Sequence, residues 1–311
     1  MKQLKETAEK IKSMEIRGAG KIARAAAAEL RDYAARLTAK DLDELNKKMK
    51  YAAELLVSTR PTAVSLPNAV RWVMRYKGEN VDEAKADIKK LADEFITNSE
   101  NAVRRIGEIG ARRVRDGDTI MTHCNSSAAI SIMAEVHAQG KDINVIVTES
   151  RPRWQGLLTI KQLDKLGINT TLIVDSAVRF FMKDVDLVIM GADAVTVNGS
   201  VINKIGTSQL ALAAHEARTN VVIAAETYKF SPRSILGELV EIEERASDEV
   251  ISREKLDEFS NVRVRNPAFD VTPREYIDLI CTEVGAIPPE MAYIIIKDFL
   301  GWEIEEMNST S

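Results

Sequence analysis

Cysteine and histidine are both scarce in this sequence, and their placement excludes several classes of protein. Among 311 residues there are two cysteines, Cys124 and Cys281, which lie far apart and form no Cys-x-x-Cys pattern. The three histidines, at positions 123, 137 and 215, show no spacing typical of metal ligands. A disulfide scaffold and a structural zinc site are therefore excluded, and we predict no metal and no cofactor.

Long apolar runs and a strong excess of one charge are also lacking. No apolar run approaches the roughly 20 residues that span a bilayer, and the N-terminus has no apolar core of a secretory signal. The 47 acidic and 43 basic residues give a net charge of -4, which provides no electrostatic reason to expect nucleic acid as a partner. We predict a cytoplasmic protein without membrane or nucleic-acid partners.

The first third of the chain has a helical pattern. The segments KIARAAAAELRDYAARL and VDEAKADIKKLADEFI place apolar residues at helical spacing. Two prolines, Pro61 and Pro67, interrupt this pattern within STRPTAVSLPNAV. They predict a break between two helices, with Arg60 in the loop.

After Asp116 the period changes to short runs rich in valine and isoleucine. DTIMTHC, INVIVTE, TTLIV, DLVIMGA and NVVIAAE have strand length, and helix-like segments separate them. Because these runs do not alternate with polar residues, they indicate a parallel sheet covered on both faces. Gly140 and Gly167 fall where helices should end. The predicted fold is α/β, with an N-terminal helical domain (1–115) followed by a Rossmann-like, doubly wound parallel sheet domain (116–311).

Two residues at predicted strand ends are candidate catalytic residues, since ligands of such sheets bind beyond the carboxyl ends of the strands. Cys124 precedes a helix start at Asn125-Ser126-Ser127, where free amides and the helix dipole lower a thiol pKa and attract anions. The alternative is a buried structural cysteine. Asp193 ends LVIMGAD, where a raised pKa would make it an acid. Its alternative is a cap or turn aspartate.

Several other loops carry groups that suit an anion. Lys204 precedes Gly206 and a helix start, although a surface lysine is the alternative. The segment Arg17 to Gly20 exposes backbone amides beside an arginine at another helix start, and Arg60 lies in a separate loop. Asn198-Gly199 is read only as a hairpin turn. Together these loops predict a small polyanionic ligand, such as a phosphorylated metabolite.

The motifs RGAG, RPTAV, THCNSS, ESRP, GADAV, INKIGT and NPAFDVTP occur in one order between Arg17 and Pro273. In that order and spacing they resemble the family of aldose-ketose isomerases related to the alpha, beta and delta subunits of translation initiation factor 2B. The resemblance is greatest to archaeal enzymes that convert ribose 1,5-bisphosphate to ribulose 1,5-bisphosphate in nucleoside monophosphate degradation. It implies a helical domain joined to a Rossmann-like domain.

The resemblance also implies site residues and partners. Cys124 would be the proton acceptor and Asp193 the proton donor, with the exchange of these roles left open. A phosphorylated sugar is the implied substrate, AMP the implied allosteric activator, and a homo-oligomer (a dimer, or a hexamer built as a trimer of dimers) the implied assembly. The implied substrate contacts are Arg17, Gly18, Ala19, Gly20, Arg60, Ser126, Ser127, Ala128, Asn203, Lys204 and Lys229.

Two alternatives remain within the same resemblance. Relatives that isomerise methylthioribose 1-phosphate share similar THCN and GAD segments but typically carry RGAP where this chain has RGAG. The regulatory subunits share the fold and generally do not keep the catalytic cysteine and aspartate together, whereas this chain has both Cys124 and Asp193. His123 has no assigned role and is expected to pack beneath the site.

Overall fold

The computed structural model describes residues 1–13, 15–16, 18–60, 64–232 and 242–301. Its residues form two compact units. We call Met1–Ala102 with Tyr228–Phe230 the helical unit, and Val103–Thr227 with Ser231–Ser311 the sheet unit. The division between them falls inside one long helix, and the domain boundary predicted between positions 115 and 116 stays a prediction. The short return of Tyr228–Phe230 to the helical unit is not a feature that the sequence pattern indicates.

The helical unit is built from amphipathic helices that pack through small side chains. Ala23, Ala26 and Ala27 are fully buried, so neighbouring helices approach the alanine-rich helix closely. This confirms the helices predicted from the alanine-rich run and from VDEAKADIKKLADEFI. The helices are α1 (Lys2–Lys12), α2 (Ala19–Arg36), α3 (Leu42–Ser58), α4 (Ser65–Val73) and α5 (Val81–Gly110), the last of which continues into the sheet unit.

The break predicted from the two prolines is partly wrong. Pro61 lies outside the described residues, and Pro67 is the third residue of α4 rather than part of a loop. The first N–H groups of a helix have no partner within the helix, so a proline in that turn removes no hydrogen bond. Arg60 does follow the end of α3, as predicted.

The described residues after α5 contain the strands predicted after Asp116 and several that were not. The strands are β1 (Thr119–Thr122), β2 (Asn144–Thr148), β3 (Asn169–Ile173), β4 (Leu187–Gly191), β5 (Ala194–Thr196), β6 (Val201–Lys204), β7 (Asn220–Ala224), β8 (Phe230–Ser231), β9 (Phe269–Thr272), β10 (Leu279–Thr282) and β11 (Gly285–Ile287). The helices are α6 (Ser127–Ala138), α7 (Gln155–Lys165), α8 (Val178–Phe181), α9 (Thr207–Ala217), α10 (Arg253–Leu256) and α11 (Ala292–Ile294).

The larger sheet has the order β11-β10-β7-β4-β1-β2-β3. Its pairs are parallel except for the edge pair of β10 with β11. Ile120 and Ile189 pack in a buried cluster with Leu163 of α7. Met121 and Val188, their neighbours along β1 and β4, are buried as well. Because successive side chains of a strand point to opposite faces, both faces are covered, which confirms the predicted fold class.

A second, smaller sheet has the order β8-β5-β6-β9 and was not predicted. Its strands have two to four residues, too few to give a period in the sequence. The hairpin between β5 and β6 turns at Asn198-Gly199, as predicted, and Gly199 has a φ of 86°. The predicted helix ends are also confirmed, since Gly140 and Gly167 follow α6 and α7 with φ angles of 78° and 77°.

Candidate active site

Cys124 and Asp193 follow the two neighbouring strands at which the sheet changes direction. From β1 the chain proceeds through β2 and β3 toward one edge, and from β4 it proceeds through β7 and β10 toward the other. Strands β1 and β4 pair directly, with Ile120 opposite Leu187. Cys124 lies two residues beyond β1, and Asp193 lies two residues beyond β4. Both therefore lie at the topological switch point, where ligands of such sheets bind.

The backbone of Cys124 is held in a conformation that non-glycine residues rarely adopt. Its φ is 65°, in the left-handed region, which costs on the order of 1–3 kcal/mol. Two hydrogen bonds hold it there: the amide of Cys124 donates to Ser150 Oγ at 2.7 Å, and its carbonyl accepts from Thr159 Oγ1 at 2.7 Å. Ser150, just after β2, is itself left-handed with a φ of 57°. The backbone of Cys124 is therefore held by the segment after β2 and by α7.

The expectation of a lowered thiol pKa is wrong. The pKa of Cys124 is raised to about 11, chiefly by burial and to a smaller extent by the carboxylates of Asp193 and Asp175. The amide of Asn125 and the ammonium of Lys204 lower the pKa, but by less than burial raises it. Desolvation disfavours a thiolate more than the start of α6 favours it. Cys124 is therefore a neutral thiol at neutral pH.

This raised pKa predicts how Cys124 reacts with alkylating reagents. We expect the rate of modification by iodoacetamide to rise with pH along a titration whose midpoint lies near 11, because only the thiolate reacts. The measurement uses a Cys281→Ala chain, so that Cys124 is the one thiol present. A midpoint at or below the ordinary thiol value of about 8.5 would contradict the raised pKa.

Ser126 joins the Cys124 segment to the end of β4. Its hydroxyl caps α6 by accepting from the amide of Ala129 at 3.3 Å. A Cβ placed on Gly191 would lie 2.3 Å from Ser126 Oγ and 2.5 Å from its Cβ. The glycine before Asp193 is thus needed for close approach of the helix cap. Ser127 and Ala128 open α6, where backbone amides have no partner within the helix and suit an anion.

We expect Gly191→Ala to lower the free energy of unfolding by about 1–3 kcal/mol, because the new methyl group overlaps the Ser126 side chain. Ser126→Gly alone should lose about 1 kcal/mol or less through the weakened cap. In the double variant the overlap is absent. Its loss in free energy of unfolding should therefore be much smaller than the sum of the losses in the two single variants. Urea unfolding of the four chains measures this, and simple additivity would contradict the packing described.

Lys204 and Asn203, at the end of β6, are buried rather than on the surface. Lys204 is 7% exposed, its Nζ donates to Ala268 O at 3.0 Å, and it lies 4.8 Å from the ring centroid of Phe269. No carboxylate lies within ion-pair distance of it in the parts of the chain that the structure describes. Asn203 Nδ2 donates to Thr207 Oγ1 at 3.0 Å. Burial of an ammonium that is not ion-paired within the described residues favours an anionic ligand, and the surface-lysine alternative is wrong.

A second group of predicted contacts lies in the helical unit. Gly18 precedes α2 with a φ of 93°, and a Cβ on Gly20 would lie 2.8 Å from Tyr228 Oη. Lys229, the next residue, is 7% exposed. Asn68 clamps this segment, because its Nδ2 donates to the backbone carbonyl of Tyr228 at 2.8 Å and to that of residue 230 at 2.9 Å. The start of α2 and the Lys229 segment are therefore neighbours.

The other substrate contacts predicted in the helical unit are Arg17, Ala19 and Arg60. Arg17 lies outside the described residues. Ala19 opens α2, and its carbonyl accepts from Ser65 Oγ at 3.1 Å, which ties the start of α2 to the start of α4. Arg60 is half-buried after α3, and its amide donates to Val57 O at 3.3 Å. Ala19 therefore joins the group around Gly18 and Lys229.

Two carboxylates that the sequence did not single out organise the loops of the sheet unit. Asp175 accepts from the amides of Ser150 and Arg151, each at 2.8 Å. Asp270 accepts from the amides of Gly206 at 2.7 Å and Ser208 at 3.1 Å, and so caps α9. Burial raises the pKa of Asp270 to about 6. The signals were available, since Asp175 follows the strand TTLIV and Asp270 lies in NPAFDVTP.

The described residues contain no group of three or more histidine, cysteine, aspartate or glutamate side chains placed to hold a metal ion. Within the same residues, no helix has the combination of length and apolarity that crossing a bilayer requires.

Comparisons with known proteins match almost the whole chain. The model of the Initiation factor 2 subunit family matches residues 15–289. A protein from Archaeoglobus fulgidus named ribose 1,5-bisphosphate isomerase is 58% identical, covering 100% of this chain and 98% of its own. A protein of the same name from Methanocaldococcus jannaschii is 55% identical, covering 96% of each. A solved structure of the Pyrococcus horikoshii translation initiation factor eIF-2B is 34% identical with a TM-score of 0.78, covering 93% of this chain and 98% of that one.

Proposed function

Since the chain belongs to the initiation factor 2 subunit family, we propose that it isomerises ribose 1,5-bisphosphate to ribulose 1,5-bisphosphate. The full-length likeness to isomerases makes this chain an enzyme of that kind rather than a non-catalytic subunit. One observation carries the proposal. Cys124 and Asp193 lie at the switch point close enough for the carboxylate to raise the pKa of the thiol.

The reaction needs one acid and one base. The phosphate on C1 prevents spontaneous opening of the sugar ring, so the C1–O4 bond breaks only when O4 receives a proton. A base removes the proton from C2, and the electron pair of the broken C2–H bond forms the C1=C2 bond of an enol phosphate. Return of a proton to C1, with loss of the proton on the C2 hydroxyl, gives the ketose. Protons and electrons balance without an oxidant or reductant.

We assign the base to Cys124 and the acid to Asp193. With a thiol pKa of about 11, roughly one chain in ten thousand holds a thiolate at pH 7. The reactive form that we assign has a thiolate at Cys124 and a carboxylic acid at Asp193, and it holds as many protons as the form with a thiol and a carboxylate. A thiolate of high pKa is a strong base once formed, which offsets part of its low population.

Substrate binding is assigned to the two groups of predicted contacts. In the sheet unit, the amides of Ser127 and Ala128 and the buried ammonium of Lys204 suit a phosphate, with Ser126 and Asn203 beside them. In the helical unit, the assigned contacts are Arg17, Gly18, Ala19, Gly20, Arg60 and Lys229. Groups that hold a phosphate of the substrate limit the motion of its reacting carbons.

We further propose activation by AMP, a role in nucleoside monophosphate degradation, and a homo-oligomer that is a dimer or a trimer of dimers. The cytoplasmic location stays a prediction. Light scattering of the purified chain measures the oligomer. A rise in kcat/KM on addition of AMP, absent with adenosine, would support activation, and an unchanged rate would overturn it.

A coupled assay for ribulose 1,5-bisphosphate tests the function directly. We expect turnover of ribose 1,5-bisphosphate and at most trace turnover of methylthioribose 1-phosphate under the same conditions. Turnover confined to methylthioribose 1-phosphate would assign the chain to that alternative. Absence of both activities, with specific capture of initiation factor 2, would favour the regulatory alternative.

A further inference from the structure

His123 is buried in the sheet unit, and its hydrogen bonds define its protonation. The ring is 2% exposed, and Nε2 lies 2.8 Å from the carbonyl of Ile205, which can only accept. Nε2 therefore carries the hydrogen, and the neutral ring accepts at Nδ1 from Thr148 Oγ1 at 2.6 Å. Burial lowers the pKa of His123, which keeps the ring neutral at neutral pH. Nε2 thus donates a hydrogen bond, and Nδ1 accepts one.

On the Nδ1 side, His123 is connected to the backbone of Cys124. Thr148 Oγ1 lies 3.4 Å from Ser150 Oγ, and Ser150 Oγ also lies 3.4 Å from His123 Nδ1. Ser150 Oγ in turn accepts the amide of Cys124 at 2.7 Å. The Ser150 hydroxyl, which holds Cys124 in its left-handed conformation, therefore lies beside the imidazole and the hydroxyl of buried Thr148.

On the Nε2 side, His123 supports the loop that follows Lys204. Ile205, whose carbonyl accepts the imidazole hydrogen, comes directly after the buried Lys204. The next residue, Gly206, has a φ of 101°, and a Cβ there would lie 2.9 Å from His123 Cε1 and 3.0 Å from Nε2. The imidazole therefore packs directly against Gly206, and a side chain at position 206 would overlap the ring.

We propose that His123 is a positioning residue, whose neutral ring fixes the Cys124 thiol relative to the loop of Asn203 and Lys204. The inference deepens the proposed isomerase function and rests on it. A group that only filled space would be replaceable by any side chain of similar volume. A positioning role instead requires each nitrogen to serve a different loop, so that loss of one bond affects one kinetic parameter.

Three variants separate the two bonds. His123→Gln can place an amide N–H near Nε2 and keep the bond to Ile205, but it loses the acceptor for Thr148. His123→Asn can place its oxygen near Nδ1 and keep the bond from Thr148, but it loses the donor to Ile205. Thr148→Val removes the hydroxyl and leaves the ring in place. This last variant still tests the inference if both His123 variants fail to fold.

The kinetic test compares kcat and KM for ribose 1,5-bisphosphate. We expect His123→Gln and Thr148→Val to lower kcat by about tenfold with KM changed less than about twofold, because the thiol loses its alignment. His123→Asn should raise KM by about tenfold with a smaller effect on kcat, because the Lys204 loop is released. Equal effects on both parameters in all three variants, or none, would overturn the positioning role.

A second readout does not depend on activity. In a Cys281→Ala background, the pH midpoint for alkylation of Cys124 should fall by about one unit in His123→Gln and Thr148→Val, since a loosened loop hydrates the thiolate. It should stay unchanged in His123→Asn. If the unaltered chain does not isomerise the substrate, the proposed function fails, and the midpoints still decide the role of His123. If it does isomerise and the midpoints and kcat of His123→Gln and Thr148→Val stay unchanged, only the positioning role fails.

Discussion

Replacing Cys124 with serine is expected to lower kcat for ribose 1,5-bisphosphate by about 1,000-fold or more, with little change in substrate binding. General base catalysis contributes about 100- to 10,000-fold, and a serine hydroxyl is far harder to ionise than a thiol. The substitution replaces sulfur with oxygen in a half-buried residue, whose hydrogen bonds with Ser150 and Thr159 are made by its backbone. The fold and the anion-binding amides should therefore persist. Steady-state kinetics and calorimetric binding of the bisphosphate measure both parts.

The matched control is Cys281→Ala. Cys281 is fully buried in β10 within the apolar cluster of the sheet, and its pKa is likewise raised by burial to about 11. Its replacement should lower stability slightly and leave kcat within about twofold, because only packing is lost. Near-normal turnover by Cys124→Ser, or an equal loss in both variants, would remove Cys124 from the reaction.

Replacing Asp193 with asparagine is expected to lower kcat by about 100- to 10,000-fold, since an amide cannot deliver a proton to the ring oxygen. The same substitution should also change the pKa of Cys124. The Asp193 carboxylate raises the pKa of Cys124, so its neutralisation should lower that pKa below about 11. Kinetics measure the first effect, and the alkylation midpoint of Cys124 measures the second.

Asp278→Asn is the control for this variant. Asp278 precedes β10 at the amino edge of the sheet and accepts from the amide of Val221 at 2.7 Å, a bond that asparagine can also accept. It should therefore change neither kcat nor the alkylation midpoint. An Asp193→Asn enzyme that kept its rate would exclude Asp193 as the acid, whatever the thiol does.

The sequence indicates where the proposed site lies, because its two residues each follow a predicted strand. Runs of valine and isoleucine without alternation indicate parallel strands, whose carboxyl ends lie at one edge. Cys124 and Asp193 follow two such runs, and the structure places those strands side by side. The glycine before Asp193 belongs to the same motif, although the close approach of Ser126 that requires it is visible only in three dimensions.

The direction of the thiol pKa could not be predicted in this way. A helix start beside a cysteine is visible in the sequence, but the burial and the two carboxylates that outweigh it come from other strand ends. The same holds for His123, whose partners Thr148 and Ile205 lie 25 and 82 residues away along the chain. The smaller sheet was missed because strands of two to four residues carry no period.

Exchange of the C1 protons of ribulose 1,5-bisphosphate in heavy water separates the role of Cys124 as base from that of Asp193 as acid. The ketose is already open, so enolisation needs the base but not the acid that opens the ring. Proton NMR follows the exchange, and we expect Asp193→Asn to retain it within about tenfold of the unaltered chain while losing isomerisation, and Cys124→Ser to lose both. Exchange retained by Cys124→Ser and lost by Asp193→Asn would contradict the account and make Asp193 the base.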